Sequence, residues 1–165
     1  MLDFVGECSC LGETHVSYWL MKSEPDSYSI DDLERDRMEP WEGVRNYQAR
    51  NMMRDVMKPG DQAFFYHSSC AVPAIVGVMK IASQAYPDPT QYDRRSKYFD
   101  PKSTEEKPRW FLVDVAFERK LKRPVTLQEL KDHPGLQDFL LTKRGNRLSV
   151  FPVSNEHWEL ISWLE

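Results

Sequence analysis

The chain has 165 residues and carries 22 Lys and Arg against 26 Asp and Glu, a net charge of −4. At 41% hydrophobic and 29% charged residues it reads as a soluble chain of one-domain length, which excludes bulk disorder and a polycation that coats nucleic acid. The longest near-apolar stretch, Ala74 to Met79, is far shorter than the roughly 20 residues of a membrane span, and no signal-peptide pattern opens the sequence.

Residues 1–17 have no hydrophobic period and read as a flexible tail, with residues 18–165 as a single domain. Cys8, Cys10 and His15 fall in that tail. They supply too few ligands for a zinc module and read as ordinary residues, so no metal site is expected. Three cysteines cannot all pair within one chain, and without a secretory signal reduced thiols inside a cell are the simplest reading.

Tyr18 to Lys22 is the first predicted strand, stopped near Pro25. Ser29 caps a short helix, with Asp32 three residues on, where a carboxylate favours a helix start. Trp41-Glu42-Gly43-Val44 is a loop leading to a second helix from about Asn46 to Met57, whose Ala49, Met52, Met53 and Val56 form one apolar stripe. Gln62 to His67 and Pro73 to Ala82 are strands joined through Ser68 to Ala71, and Gly77 signals a bulge or a close approach. Residues 85–108, with Pro87, Pro89, Pro101 and Pro108, read as one long ordered loop of the kind compact domains keep for a purpose. Trp110 to Phe117 is a strand with Asp114 in need of a partner. Thr126-x-x-Glu129 opens a short helix that ends at His133-Pro134-Gly135. A strand ending at Val153 and a last helix capped by Ser154 follow, with Trp158 and Trp163 assigned to its packing. Mixing without βαβ alternation predicts an α+β fold with a mainly antiparallel sheet, open or closed into a barrel.

The common chemical signatures are missing. There is no G-x-G-x-x-G, no P-loop, no H-E-x-x-H, no C-x-x-C and no G-x-S-x-G. His67-Ser68 places a base beside a hydroxyl, but catalytic pairs meet through the fold and not by adjacency. Charge is uneven: residues 94–147 hold 14 Lys and Arg against 8 Asp and Glu, which permits a local phosphate-facing surface.

Polar and aromatic residues crowd into a few segments. These are Trp19 to Pro25, Trp41 to Arg50, Phe64 to Ser68, Tyr86 to Thr90, Tyr98 to Pro101, Pro108 to Trp110 and Arg147 to Val150. Together they resemble the EVE domain family, over about Trp19 to Trp163. The resemblance implies a PUA-like superfold, a twisted, mainly antiparallel β-barrel with helices packed at its rim, related to YTH and ASCH domains. It also implies binding of modified nucleobases, with 5-methyl- or 5-hydroxymethylcytosine in DNA favoured and RNA possible. By analogy with YTH domains, Trp41 takes the place of one wall of an aromatic cage.

On that reading a flipped base is held by planes drawn from Trp41, Tyr66, Tyr98 and Trp110, with stacking worth roughly 1–3 kcal/mol per base. Trp110 is equally readable as simple core. Ser23 and Asn46 address the base edge, and Glu24 or Asp100 accepts from an exocyclic amine. Lys22, Arg45 and His67 hold flanking phosphates, extended by the basic run Arg119 to Arg123 unless that run is only a solvated strand end. Val44, Tyr47, Ser68 and Ser149 complete the expected lining. The expected function is a non-enzymatic reader with no cofactor and no catalytic residue, whose partner is nucleic acid and not membrane. Its expected place is the nucleus of a eukaryotic cell or the cytoplasm of a bacterial one. The rival readings are a hydrolase or base-processing enzyme using His67, Ser68 and Asp100 or Glu24, and a general RNA-associated PUA-like module indifferent to modification.

Overall fold

The computed structural model describes residues 15–165; Cys8, Cys10 and most of the expected tail lie outside the described residues. In chain order the elements are β1 (Tyr18–Ser23), α1 (Ile30–Asp36), β2 (Met38–Pro40), α2 (Tyr47–Asp55), β3 (Gln62–His67), β4 (Ala74–Ile81), β5 (Tyr86–Pro87), β6 (Phe111–Leu112), β7 (Asp114–Thr126), α3 (Leu127–Asp132), β8 (Val150–Val153) and α4 (Asn155–Leu164). Six strands form one sheet in the order β2-β7-β4-β3-β1-β8, and β5 pairs with β6 as a separate ribbon. All neighbours run antiparallel except β1 and β3, so the sheet is mixed and mainly antiparallel. It curls into a half-barrel of the PUA-like kind, with β2 and β8 as its two edges.

Strand alternation builds a core on each face of the sheet. Trp19 and Met21 of β1 and Phe65 of β3 join Ile30 and Leu33 of α1 and Ala49 and Met53 of α2. Leu20 and Phe64 face the other way and join Leu130 of α3 and Trp158 and Ile161 of α4. Trp158 stacks between Tyr18, at 4.3 Å between centroids, and Phe64, at 3.9 Å. The helices therefore cover both faces of the sheet. No helix of the described residues is long and apolar enough to cross a membrane.

Local chemistry explains the boundaries. Ser29 and Asp32 form a reciprocal capping box at α1, and Thr126 and Glu129 form another at α3. Gly77 marks both a bulge and a close approach, because the β3–β4 register shifts beside it and the Ile30 side chain stands where its Cβ would be, at 2.6 Å. Tyr86 donates a 2.6 Å hydrogen bond to Asp114, which is the partner that carboxylate required.

Several expectations need correction. The second helix stops at Asp55, and Val56 is 52% exposed, while Met57 tucks into the core by donating its N–H to the carbonyl of Met52. Trp163 is 88% exposed and does not pack with α4. The strand expected to end at Phe117 breaks at Val113 and then continues as β7 to Thr126. Register shifts against β4 place Glu118 to Lys120 outward in succession, which erases the alternation that marks a strand. β2 is too short to carry a pattern at all.

Candidate functional site

A cavity of about 520 Å³ opens where the ends of β1 and β3 meet three loops. β1 and its exit supply Lys22, Ser23, Glu24, Ser27 and Tyr28, β2 supplies Glu39 and Pro40, and the loop before α2 supplies Trp41 to Arg45. Ser68 follows β3, Lys97 and Tyr98 come from the long loop, and Arg147 and Ser149 precede β8. The parallel pairing of β1 with β3 puts Ser23 opposite His67, which brings these strand ends together.

Trp41 lines the cavity yet is only 7% exposed. Its ring meets Phe65 edge to face at 5.4 Å, and its amide donates to the carbonyl of Val113. It is at once part of the core and part of the cavity wall. Gly43 has φ of +82°, and a Cβ there would fall 2.4 to 2.8 Å from the Tyr98 ring, so only glycine lets that ring close down on the loop.

The polar lining is mixed. Burial raises the Glu42 carboxyl above its ordinary range, and the charge of Asp88 adds to this against the pull of Arg45. Burial, with Asp36, Glu42 and Asp114 nearby, raises Glu39 likewise. Burial lowers the Lys22 ammonium. Among the described residues, Lys22, Lys97 and Arg147 form no ion pair, whereas Arg119, Lys120 and Arg123 are each held by carboxylates at 2.6 to 2.8 Å. Three of the four basic residues of this run in β7 are thus neutralised, and none of the run lines the cavity.

Of the residues expected to gather around a base, Lys22, Ser23, Glu24, Trp41, Val44, Arg45, Ser68, Tyr98 and Ser149 line the cavity. Asn46, Tyr47, Tyr66, His67, Asp100 and Trp110 do not. Asn46 caps α2 by accepting from the Ala49 amide. Tyr66 is 3% exposed in the core shared with α3 and α4. His67 accepts the Ile30 amide at Nε2 and so caps α1, and burial lowers its imidazolium below 6.5, so a neutral acceptor is favoured over a phosphate-binding cation. Trp110 is buried, stacks on Tyr47 at 4.8 Å and donates to Asp100 at 2.7 Å. The Arg45 guanidinium lies over both Tyr98 and Trp110, 5.4 Å from each ring centroid. The protein's own side chains therefore fill the aromatic cluster around Trp110, and of the four planes expected around a base Trp41 and Tyr98 line the cavity, together with Tyr28.

Arg45 offers no free donor to a phosphate, since every guanidinium N–H goes to Val44, Asp88, Thr90 or Tyr98. His67, Ser68 and Asp100 do not assemble as a catalytic set: no hydrogen bond links their side chains, and Asp100 is engaged by Trp110 and Arg109. Among the described residues no group of three or more His, Cys, Asp and Glu is placed to hold a metal ion.

Sequence reasoning overlooked Tyr28, Glu39, Glu42, Lys97 and Arg147 in the lining and the buried polar residues Asp88 and Gln91 behind it. Gln91 bonds the backbone of Asp88, Arg109 and Trp110, which orders the long loop. The only sequence signal was the loop's length and its proline content.

Comparison with known proteins adds the family. The model of the EVE domain matches residues 17–164. The chain belongs to the EVE domain family. Human Thymocyte nuclear protein 1 is 44% identical over 168 residues, covering 90% of this chain and 74% of that protein. The crystal structure of a Pseudomonas syringae protein has a TM-score of 0.87 to this chain at 50% identity, covering 90% of this chain and 99% of its own. Human THYN1 protein, solved in complex with 5-methylcytosine-containing DNA, has a TM-score of 0.85 at 43% identity over 90% of this chain and 96% of that one.

Proposed function

We propose that this EVE domain is a DNA-binding reader that takes one modified cytosine, flipped from the duplex, into the cavity between Trp41 and Tyr98, and releases it unchanged. The observation that carries this reading is the cavity itself: aromatic surface, the carboxylates of Glu24, Glu39 and Glu42 and the cations Lys22, Lys97 and Arg147 meet in one opening of about 520 Å³. The solved complex of the 43%-identical human THYN1 with 5-methylcytosine-containing DNA supports the choice of ligand. Flipping costs a few kcal/mol, and stacking on an aromatic plane offsets it by roughly 1–3 kcal/mol. The carboxylates of Glu24, Glu39 and Glu42 are suited to accept from the exocyclic amine of cytosine, which thymine and uracil lack. Lys22, Lys97 and Arg147 are suited to the flanking phosphates. Residence beside DNA follows, in the nucleus of a eukaryotic cell or the cytoplasm of a bacterial one.

Titration of duplexes differing only by one 5-methylcytosine, at fixed salt, tests the reading. The methylated duplex binds more tightly if it is right. Equal affinities, or release of a chemically altered base, would remove it.

A further inference from the structure

The loop before α2 carries Trp41, and the long loop carries Tyr98. No backbone–backbone hydrogen bond joins these two segments among the described residues. What does join them is a single polar node. Asp88, fully buried, accepts from the Gly43 amide at 2.8 Å, from Arg45 at 2.9 Å, and from the amide and hydroxyl of Thr90. Arg45 in turn donates to Thr90 at 2.9 Å and twice to the carbonyl of Tyr98, at 2.8 and 3.0 Å. The carboxylate thus holds the first loop, and the guanidinium reaches across to the residue that bears the opposing ring.

We infer that the Asp88–Arg45 pair is the positioning device that fixes the gap between Trp41 and Tyr98, and with it the selectivity of the cavity for a modified base. The inference rests on the base-reading function proposed above and adds the residues that set its discrimination. An apolar pocket distinguishes one methyl group by only about 10- to 200-fold, so slack in either wall removes selectivity before it removes binding. Neither residue need touch the base: Asp88 is fully buried and the donors of Arg45 are all engaged within the protein.

The test compares affinities for methylated and unmethylated duplex at fixed salt in the wild-type chain and in Asp88→Asn, Arg45→Lys and Thr90→Val, with thermal unfolding and the salt dependence of binding measured alongside. A purely structural role lowers the folded fraction and weakens both affinities together. A positioning role lowers their ratio by about tenfold, as expected for the loss of a hydrogen bond to a charged group, while the salt dependence holds. An unchanged ratio in folded Arg45→Lys or Thr90→Val chains would overturn the inference. So would unfolding of all three variants, because the pair would then hold the chain together and set no gap. A wild-type ratio of one is a different failure: it removes the base-reading function itself, and the inference with it.

Discussion

Two constraints meet at Gly43. Its φ of +82° belongs to the region that side chains avoid, and its missing Cβ is what admits the Tyr98 ring. Gly43→Ala is expected to destabilise the fold by about 1–3 kcal/mol and to weaken modification-selective binding, read by denaturant unfolding and duplex titration. Unchanged stability would mean that the loop relaxes freely. Trp41 needs different handling. Because it packs on Phe65 within the core, removing its ring entirely costs about 3–5 kcal/mol, so Trp41→Ala cannot separate binding from folding. Trp41→Phe keeps an aromatic ring and much of the packing. It is expected to cost about 1–3 kcal/mol of stability, less than removing the ring entirely, and to reduce affinity for the methylated duplex. Trp41 was legible as a candidate because a large ring in a glycine-containing loop is hard to explain by packing alone. That it also belongs to the core was not legible, since the contact depends on Phe65, 24 positions away in sequence. Asp88 was invisible as a node because its partners come from a loop more than 40 residues earlier.

At the scale of elements, α1 depends on β3. His67 at the end of β3 accepts the Ile30 amide at the start of α1, and the Ile30 side chain packs over Gly77 of β4. Burial lowers the imidazolium of His67 below its ordinary 6.5, so the neutral form is favoured in the folded chain. The unfolded chain then binds the extra proton more readily. The resulting stability is fully present above pH 6.5 and is lost as pH falls through the lower, folded value. His67→Gln is expected to flatten that acid-side decline in unfolding free energy, and an identical decline in the variant would assign it to another group. Elements with a strong local code, such as the capping boxes at Ser29 and Thr126, could be read directly from sequence. β7 could not, because its bulges break the period of two on which strand reading depends.

Over the whole molecule, charge is arranged so that much of the basic surface is already satisfied. Arg119, Lys120 and Arg123 are tied to carboxylates, whereas Lys22, Lys97 and Arg147 border the cavity without an ion pair among the described residues. An acidic chain can bind DNA in this way, through a few local phosphate contacts. Lys22→Gln, Lys97→Gln and Arg147→Gln are each expected to reduce the slope of log affinity against log salt by about 0.9 while weakening methylated and unmethylated duplexes alike. A slope that none of them alters would move the phosphate contacts elsewhere. The central claim is that a base leaves the stack and enters the cavity. Its most direct test is the fluorescence of 2-aminopurine placed beside a single 5-methylcytosine in a duplex, titrated with the wild-type chain. Emission is expected to rise as the neighbour unstacks, with no rise for the unmethylated duplex and a smaller one with Trp41→Phe. Tight binding of the methylated duplex with no change in emission would contradict it.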